Sequence, residues 1–251
     1  MNIEYHSFYS HHLNRDMPFK RYGHGGKVII VFPSSGGRFY EYEDFKMIES
    51  IAWFIDNGHV QVFTADSVDK EAFLCDWKSP YDKAEMHNAY DRYIIHELVG
   101  FIKSYTNNPG PYMTTGCSMG AYHAVNFLLR HPDVFDSTIA LSGVYDIRYI
   151  INSDYNDFNV YENSPVDYIW NQNDPWFIDK YRNSNIIMVT GQGRWEEQSI
   201  KDTKKMEEAF DFKQIPVWID YWGYDVDHDW PWWRIQMSYY LGKLLEQGYL
   251  Y

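Results

Sequence analysis

Gly116-Cys117-Ser118-Met119-Gly120 is the stretch of this sequence with the most specific chemical content. G-x-S-x-G describes a serine held on a very tight strand-to-helix turn, a nucleophile elbow. The turn forces strained backbone on the serine, and the residues two positions either side must be small so that the chain segments do not collide. It also puts the next backbone N–H, that of Met119, at a helix N-terminus, where it can stabilise an oxyanion. The flanking residues suit such a turn: PYMTT before it is strand-like, and AYHAVNFLLR after it is helical. Cys117, inside the same turn, reads as a small buried residue and not as a thiol nucleophile.

A serine hydroxyl at neutral pH needs a base within hydrogen-bond reach, and the base needs an orienting carboxylate. On an elbow fold these follow in the order nucleophile, acid, histidine. His123 and His131 lie in or at the end of the helix after the elbow, and His123 is expected to pack or hydrogen-bond locally. His228, in the loop YDVDHDWPWW after a late strand, is the candidate base. The acid is expected in the loop GQGRWEE after the strand Ile186 to Thr190. Glu196 is the choice and Glu197 the runner-up, since Glu197 would fall in the first turn of the next helix, where the dipole favours a solvated carboxylate. Trp195 would pack over the acid–base pair and exclude water. Asp202 falls inside the helix, and Asp225, Asp227 and Asp229 read as local loop residues. The second oxyanion donor is expected in Pro33-Ser34-Ser35-Gly36-Gly37, from Ser35 or Gly36. The glycine pair there lacks the Lys-Ser/Thr of a phosphate loop.

These residues are set into an alternation of strands and helices, the mark of an α/β fold with a largely parallel sheet. A weak antiparallel pair, around Ile3 to Tyr9 and Leu13 to Arg21, comes first. The strands Lys27 to Phe32, Val60 to Ala65, Tyr112 to Thr115, Ser137 to Gly143, Ile186 to Thr190 and Pro216 to Tyr221 follow. Helices are expected near Asp44 to Asn57, Asp82 to Tyr105, Met119 to Arg130, Glu197 to Phe210 and Trp232 to Glu246. The segment Tyr145 to Arg182 breaks the rhythm. It reads as an irregular insertion, around residues 146 to 182, that borders the pocket with Trp170 and Trp176.

With 251 residues the chain fits one domain with a single core. Its formal charge of −13 and pI near 5.1 oppose nucleic acid and anionic membranes as partners. Mean hydropathy is −0.52, and neither a membrane-spanning run nor a signal peptide is recognisable. Cytoplasmic residence is therefore the expectation, with a homo-oligomer left open. Cys75 and Cys117 read as reduced, packed thiols, since two cysteines make neither a disulfide framework nor a zinc site. No metal or cofactor is implied. Aromatic residues reach 19%, and this surplus suits core and interface area more than a ligand pocket.

VIIVFPSSGG, TTGCSMGAYHA, ALSGVYD, NVYENSPVDY and HDWPWWRIQM together resemble the "putative esterase" family of α/β-hydrolases over most of the chain. The group includes S-formylglutathione hydrolases, feruloyl and acetyl esterases, and mycolyltransferases. The resemblance implies the α/β-hydrolase fold and a serine esterase acting on a small-molecule ester, with Ser118 as nucleophile and His228 as base. This chain has GQGRWEE where many relatives show an aspartate soon after the glycine. An acyltransferase with the same residues, and a non-catalytic binding protein on the same fold, are the alternatives.

Overall fold

The computed structural model describes residues 1–154 and 157–250. Eight strands form one sheet: β1 (Ile3–Ser10), β2 (Arg15–Tyr22), β3 (Lys27–Phe32), β4 (Val60–Ala65), β5 (Tyr112–Cys117), β6 (Phe135–Leu141), β7 (Asn185–Thr190) and β8 (Trp218–Tyr221). Their order is β1-β2-β4-β3-β5-β6-β7-β8. β1 and β2 pair antiparallel, β2 joins β4 antiparallel, and every pair from β4 to β8 is parallel. This is the α/β-hydrolase architecture expected from the sequence.

Every residue of β3, β4 and β5 is buried, as continuous apolar runs demand when helices cover both faces. Successive side chains of a strand point to opposite faces. Val28, Ile30 and Phe32 accordingly pack with Val125, Phe127 and Leu128 of the helix Met119–Arg130. Ile29 and Val31 pack on the other face with Met237, Tyr240 and Leu241 of the helix Trp230–Glu246. In the first of these helices, Met119 to Leu129 are all buried, which places the elbow in the middle of the molecule.

The parallel register aligns the strand ends. Phe32 pairs with Gly116, Gly116 with Ala140, and Ala140 with Met188. The residues that follow β3, β5, β6 and β7 therefore emerge at one edge of the sheet.

Several elements differ from the sequence expectation. The helix expected from Asp44 to Asn57 is three pieces, Glu41–Asp44, Met47–Ser50 and Ala52–Asp56. Lys46 breaks it by taking the left-handed region, at φ 62°. The helix expected from Asp82 to Tyr105 starts at Pro80, capped by Ser79, and passes through a π-helical stretch at Tyr93–Leu98. The segment after Tyr145 contains the short helices Ile147–Ile151, Phe158–Tyr161, Pro165–Asn171 and Pro175–Arg182. Residues 155 and 156 of that insertion lie outside the described residues. His123 packs in the core, against Phe32, His87 and Tyr122, but its hydrogen bond is not local: Nε2 lies 2.9 Å from Asp69 Oδ1, both side chains being fully buried.

Candidate active site

β5 runs without a loop into the helix Met119–Arg130, and Ser118 is the joint, at φ 57° and ψ −120°. Positive φ is costly for any residue with a Cβ. The Ser118 N–H donates to Leu141 O at 2.8 Å, which ties the strained residue to the end of β6. A Cβ on Gly120 would stand 2.3 Å from the Phe32 carbonyl oxygen, so a side chain there would drive helix and β3 apart. Met119 N–H begins the helix and so has no intrahelical acceptor. Ser118 opens on a cavity of about 750 Å³ that Ser35, Met119, Leu74 and residues from Val144 to Asp154 line.

The loop after β3 is organised by Glu41, a residue that the sequence pattern did not single out. Its carboxylate is buried and accepts from Ser34 N–H at 2.7 Å and from Ser34 Oγ at 2.6 Å. Burial pushes the Glu41 pKa upward, the Ser34 bonds opposing it. Gly37 N–H donates to Ser34 O at 2.8 Å, and Gly36 between them adopts φ 66°. The turn leaves Ser35 exposed on the cavity wall.

Glu196 and His228 meet across the mouths of two loops. Glu196 Oε2 is 3.1 Å from His228 Nδ1, with the glutamate fully buried and the imidazole partly exposed. The same carboxylate accepts from Ser142 Oγ at 2.6 Å and from Gly191 N–H at 3.2 Å on Oε1. Thr190 Oγ1 lies 3.1 Å from Oε2 and 3.1 Å from Gly191 O, which share its one proton. Glu197 is exposed in the first turn of the helix Glu197–Lys213. Asp202 is buried within that helix and accepts from the Tyr145 and Asp146 backbone N–H groups, both at 3.1 Å.

The aspartates around His228 build its loop. Asp227 accepts from Arg194 N–H and from the Arg194 guanidinium, each at 2.8 Å, and that guanidinium holds its pKa below the ordinary value. His228 N–H donates back to Arg194 O at 3.0 Å. Asp229 caps the last helix, which begins at Trp230, two residues earlier than expected. Among the described residues no hydrogen bond joins Ser118 Oγ to the His228 ring. Such contacts are often long without substrate and tighten in the complex.

Trp195 does not cover the pair. It stands 68% exposed at φ 65°, turned outward, with the Arg194 guanidinium 5.4 Å from its ring. Trp233 takes the place at the histidine, edge-on to the His228 ring with centroids 5.0 Å apart. Trp170 and Trp176 also lie elsewhere. Trp170 packs on Phe212 and Trp176 on Phe177, and neither lines the Ser118 cavity. From the insertion, Asp146, Arg148, Tyr149 and their neighbours line it instead. Arg148 is fixed there by Asp146 and Asp167, each at 2.9 Å. Among the described residues no cluster of His, Cys, Asp or Glu is arranged to hold a metal, and no helix is long and apolar enough to cross a membrane.

A family model described as "Putative esterase" matches residues 10–244. The chain belongs to this esterase family. Membership makes it an enzyme of the serine hydrolase class. No curated protein matches the sequence. Solved structures share the fold at low identity. A ferulic acid esterase superposes with a TM-score of 0.74 at 16% identity, covering 96% of this chain and 95% of that one. FphF of Staphylococcus aureus, a fluorophosphonate-binding serine hydrolase, gives 0.71 at 16% identity, over 97% and 98%. An S-formylglutathione hydrolase from Agrobacterium tumefaciens gives 0.73 at 14%, over 97% and 94%.

Proposed function

We propose that the enzyme hydrolyses carboxylic esters in two steps through an acyl-serine at Ser118, with His228 as base and Glu196 as the orienting acid. The observation that carries this reading is Ser118 itself: a strained serine at a helix N-terminus, opening on the cavity. Glu196 beside Nδ1 assigns the ring proton to that nitrogen and leaves Nε2 free to act as base. Ser118 Oγ attacks the ester carbonyl carbon while Nε2 takes its proton. The oxyanion forms against the Met119 N–H and the N–H of Ser35 or Gly36. Nε2 then protonates the departing alkoxide, and the acyl-enzyme remains. Water, deprotonated by the same nitrogen, attacks the acyl carbon and releases the acid and Ser118.

In this reading the chain from 146 to 182 belongs to the same domain and its first part shapes the pocket. The substrate is a small ester. A cytoplasmic location fits the two buried, unpaired cysteines. A fluorophosphonate probe should label the protein on the peptide carrying Ser118. Ser118→Ala should abolish labelling and lower kcat by about 10⁶-fold, with the fold retained by circular dichroism. Labelling of another residue, or more than a few per cent of activity in the variant, would refute the assignment. Offering an alcohol as acceptor and analysing the products separates hydrolysis from acyl transfer.

A further inference from the structure

Ser142 directly follows β6 in a left-handed conformation, at φ 55°. Its N–H donates to Val189 O at 2.7 Å, and its carbonyl accepts from Ser199 Oγ at 3.1 Å. The backbone is therefore held from two sides, and the fully buried hydroxyl has two partners. Trp233 Nε1 lies 2.9 Å from Ser142 Oγ, and Ser142 Oγ lies 2.6 Å from Glu196 Oε1. The direction of this chain is fixed by chemistry. An indole N–H can only donate, and a carboxylate can only accept. The Trp233 proton must go to Ser142 Oγ, which leaves the single Ser142 proton to point at Glu196.

With that bond in place, the Glu196 carboxylate faces Ser142 and Gly191 on Oε1 and His228 on Oε2, with the Thr190 hydroxyl, whose one proton is shared between Oε2 and Gly191 O, at 3.1 Å from each. These contacts occupy both oxygens and most of the roughly four lone-pair sites of a carboxylate, which restricts its rotation. The Trp233 ring meanwhile lies edge-on to His228. One buried indole thus touches the imidazole with its ring and reaches the carboxylate through its N–H.

We propose that Trp233 is a positioning residue that holds the acid–base pair through Ser142 and against His228, an inference resting on the roles given above to Glu196 and His228. Trp233→Phe keeps an aromatic ring and removes the donor together with the rest of the five-membered ring. It should lower kcat on an activated ester by about 10-fold, the effect of one lost hydrogen bond. KM should stay within about twofold, because no substrate contact is removed. Ser142→Ala should lower kcat by at least as much. The double variant should match Ser142→Ala alone, since residues acting through one chain are not additive. Should Trp233→Phe fold poorly, site-specific replacement of Trp233 by the benzothienyl analogue of tryptophan removes the N–H at nearly constant shape.

A second readout needs no substrate. The proton between His228 Nδ1 and Glu196 should give a downfield proton resonance, assigned by its loss in His228→Gln. It should broaden in Trp233→Phe. Unchanged kcat and an unchanged resonance in a folded donor-less variant would overturn the proposal, as would losses that multiply in the double variant. A wild type that neither hydrolyses esters nor takes the probe, yet shows a resonance sensitive to Trp233, would refute the esterase reading and leave the positioning role standing.

Discussion

A Cβ placed on Gly116 would stand 2.3 Å from the carbonyl carbon of Gly120, so strand and helix meet at the elbow with no space for a side chain. The obstacle is backbone, which cannot swing aside as the end of a flexible side chain can. Gly116→Ala and Gly120→Ala should each cost about 3 kcal/mol or more, the upper range for overpacking. For a chain of this size that lowers Tm by roughly 6–12 °C. Gly100, in the helix Val99–Thr106, has nothing within 4 Å of its would-be Cβ. Gly100→Ala should leave Tm unchanged or raise it slightly. Equal melting temperatures for all three variants would mean that the elbow glycines are not sterically required.

Glu196 and Glu197 are adjacent in sequence and opposite in environment. Glu196→Gln puts a neutral amide beside His228 Nδ1 and should lower kcat by about 10⁴-fold, as loss of an orienting carboxylate does. Glu197→Gln removes an exposed carboxylate from a helix first turn and should change stability by no more than about 0.5 kcal/mol, with kcat intact. Measuring kcat on one activated ester decides between them. A larger loss at 197 than at 196 would reverse the assignment.

Tyr149 is 60% exposed and lines the Ser118 cavity, whereas Trp170 and Trp176 pack away from it. Tyr149→Ala should therefore change the ratio of kcat/KM between a short and a bulky ester by about 10-fold. Trp170→Ala and Trp176→Ala should leave that ratio unchanged. A panel of p-nitrophenyl esters reads all three, and a changed preference in the tryptophan variants alone would disprove this placement.

His87 is fully buried against Phe73, Tyr90, Tyr122 and His123, and both ring nitrogens lack a hydrogen-bond partner among the described residues. Burial, then the neighbouring His123 and Arg130 charges, push its pKa well below the ordinary value. The unfolded chain thus binds a proton near pH 6.5 that the folded chain refuses. The stability from keeping His87 neutral is complete above about pH 6.5 and declines as the pH falls, by at most about 1.4 kcal/mol per pH unit. Urea unfolding of wild type and His87→Phe between pH 7.5 and 5 measures the difference. Wild type should lose more stability across that window; parallel curves would exclude His87 as the source.

What could be read in the sequence is what a local backbone requirement writes there. The glycines at 116 and 120 follow from the elbow, and the apolar runs of β3 and β4 follow from burial on both faces. Chain order pointed to the loop GQGRWEE, and the expected start of the next helix at Glu197 chose Glu196, which faces His228. The Ser142 hydroxyl and the Trp233 indole were not legible, because their contacts to Glu196 and Ser142 span 54 and 91 residues. Glu41 was hidden for a different reason. It falls in the loop before the expected helix, and nothing in its spacing shows that the β3 loop folds over it. Trp195 was misplaced because a tryptophan in the left-handed region points where its backbone aims it, and here that is outward.

The aligned strand ends have a consequence for how the molecule comes into being. The elbow needs only β3, β5, β6 and the helix after Ser118, all made by residue 141. His228 and Trp233 arrive nearly ninety residues later, with the final helix. A chain emerging from the ribosome has thus exposed the residues of the elbow, Ser118 among them, well before the residues proposed to activate that serine. If His228 is the base, ester cleavage should be absent from every shorter chain and should appear only once the last helix has docked. Recovered activity in a refolding experiment should accordingly report the docking of the last helix rather than the first formation of the sheet.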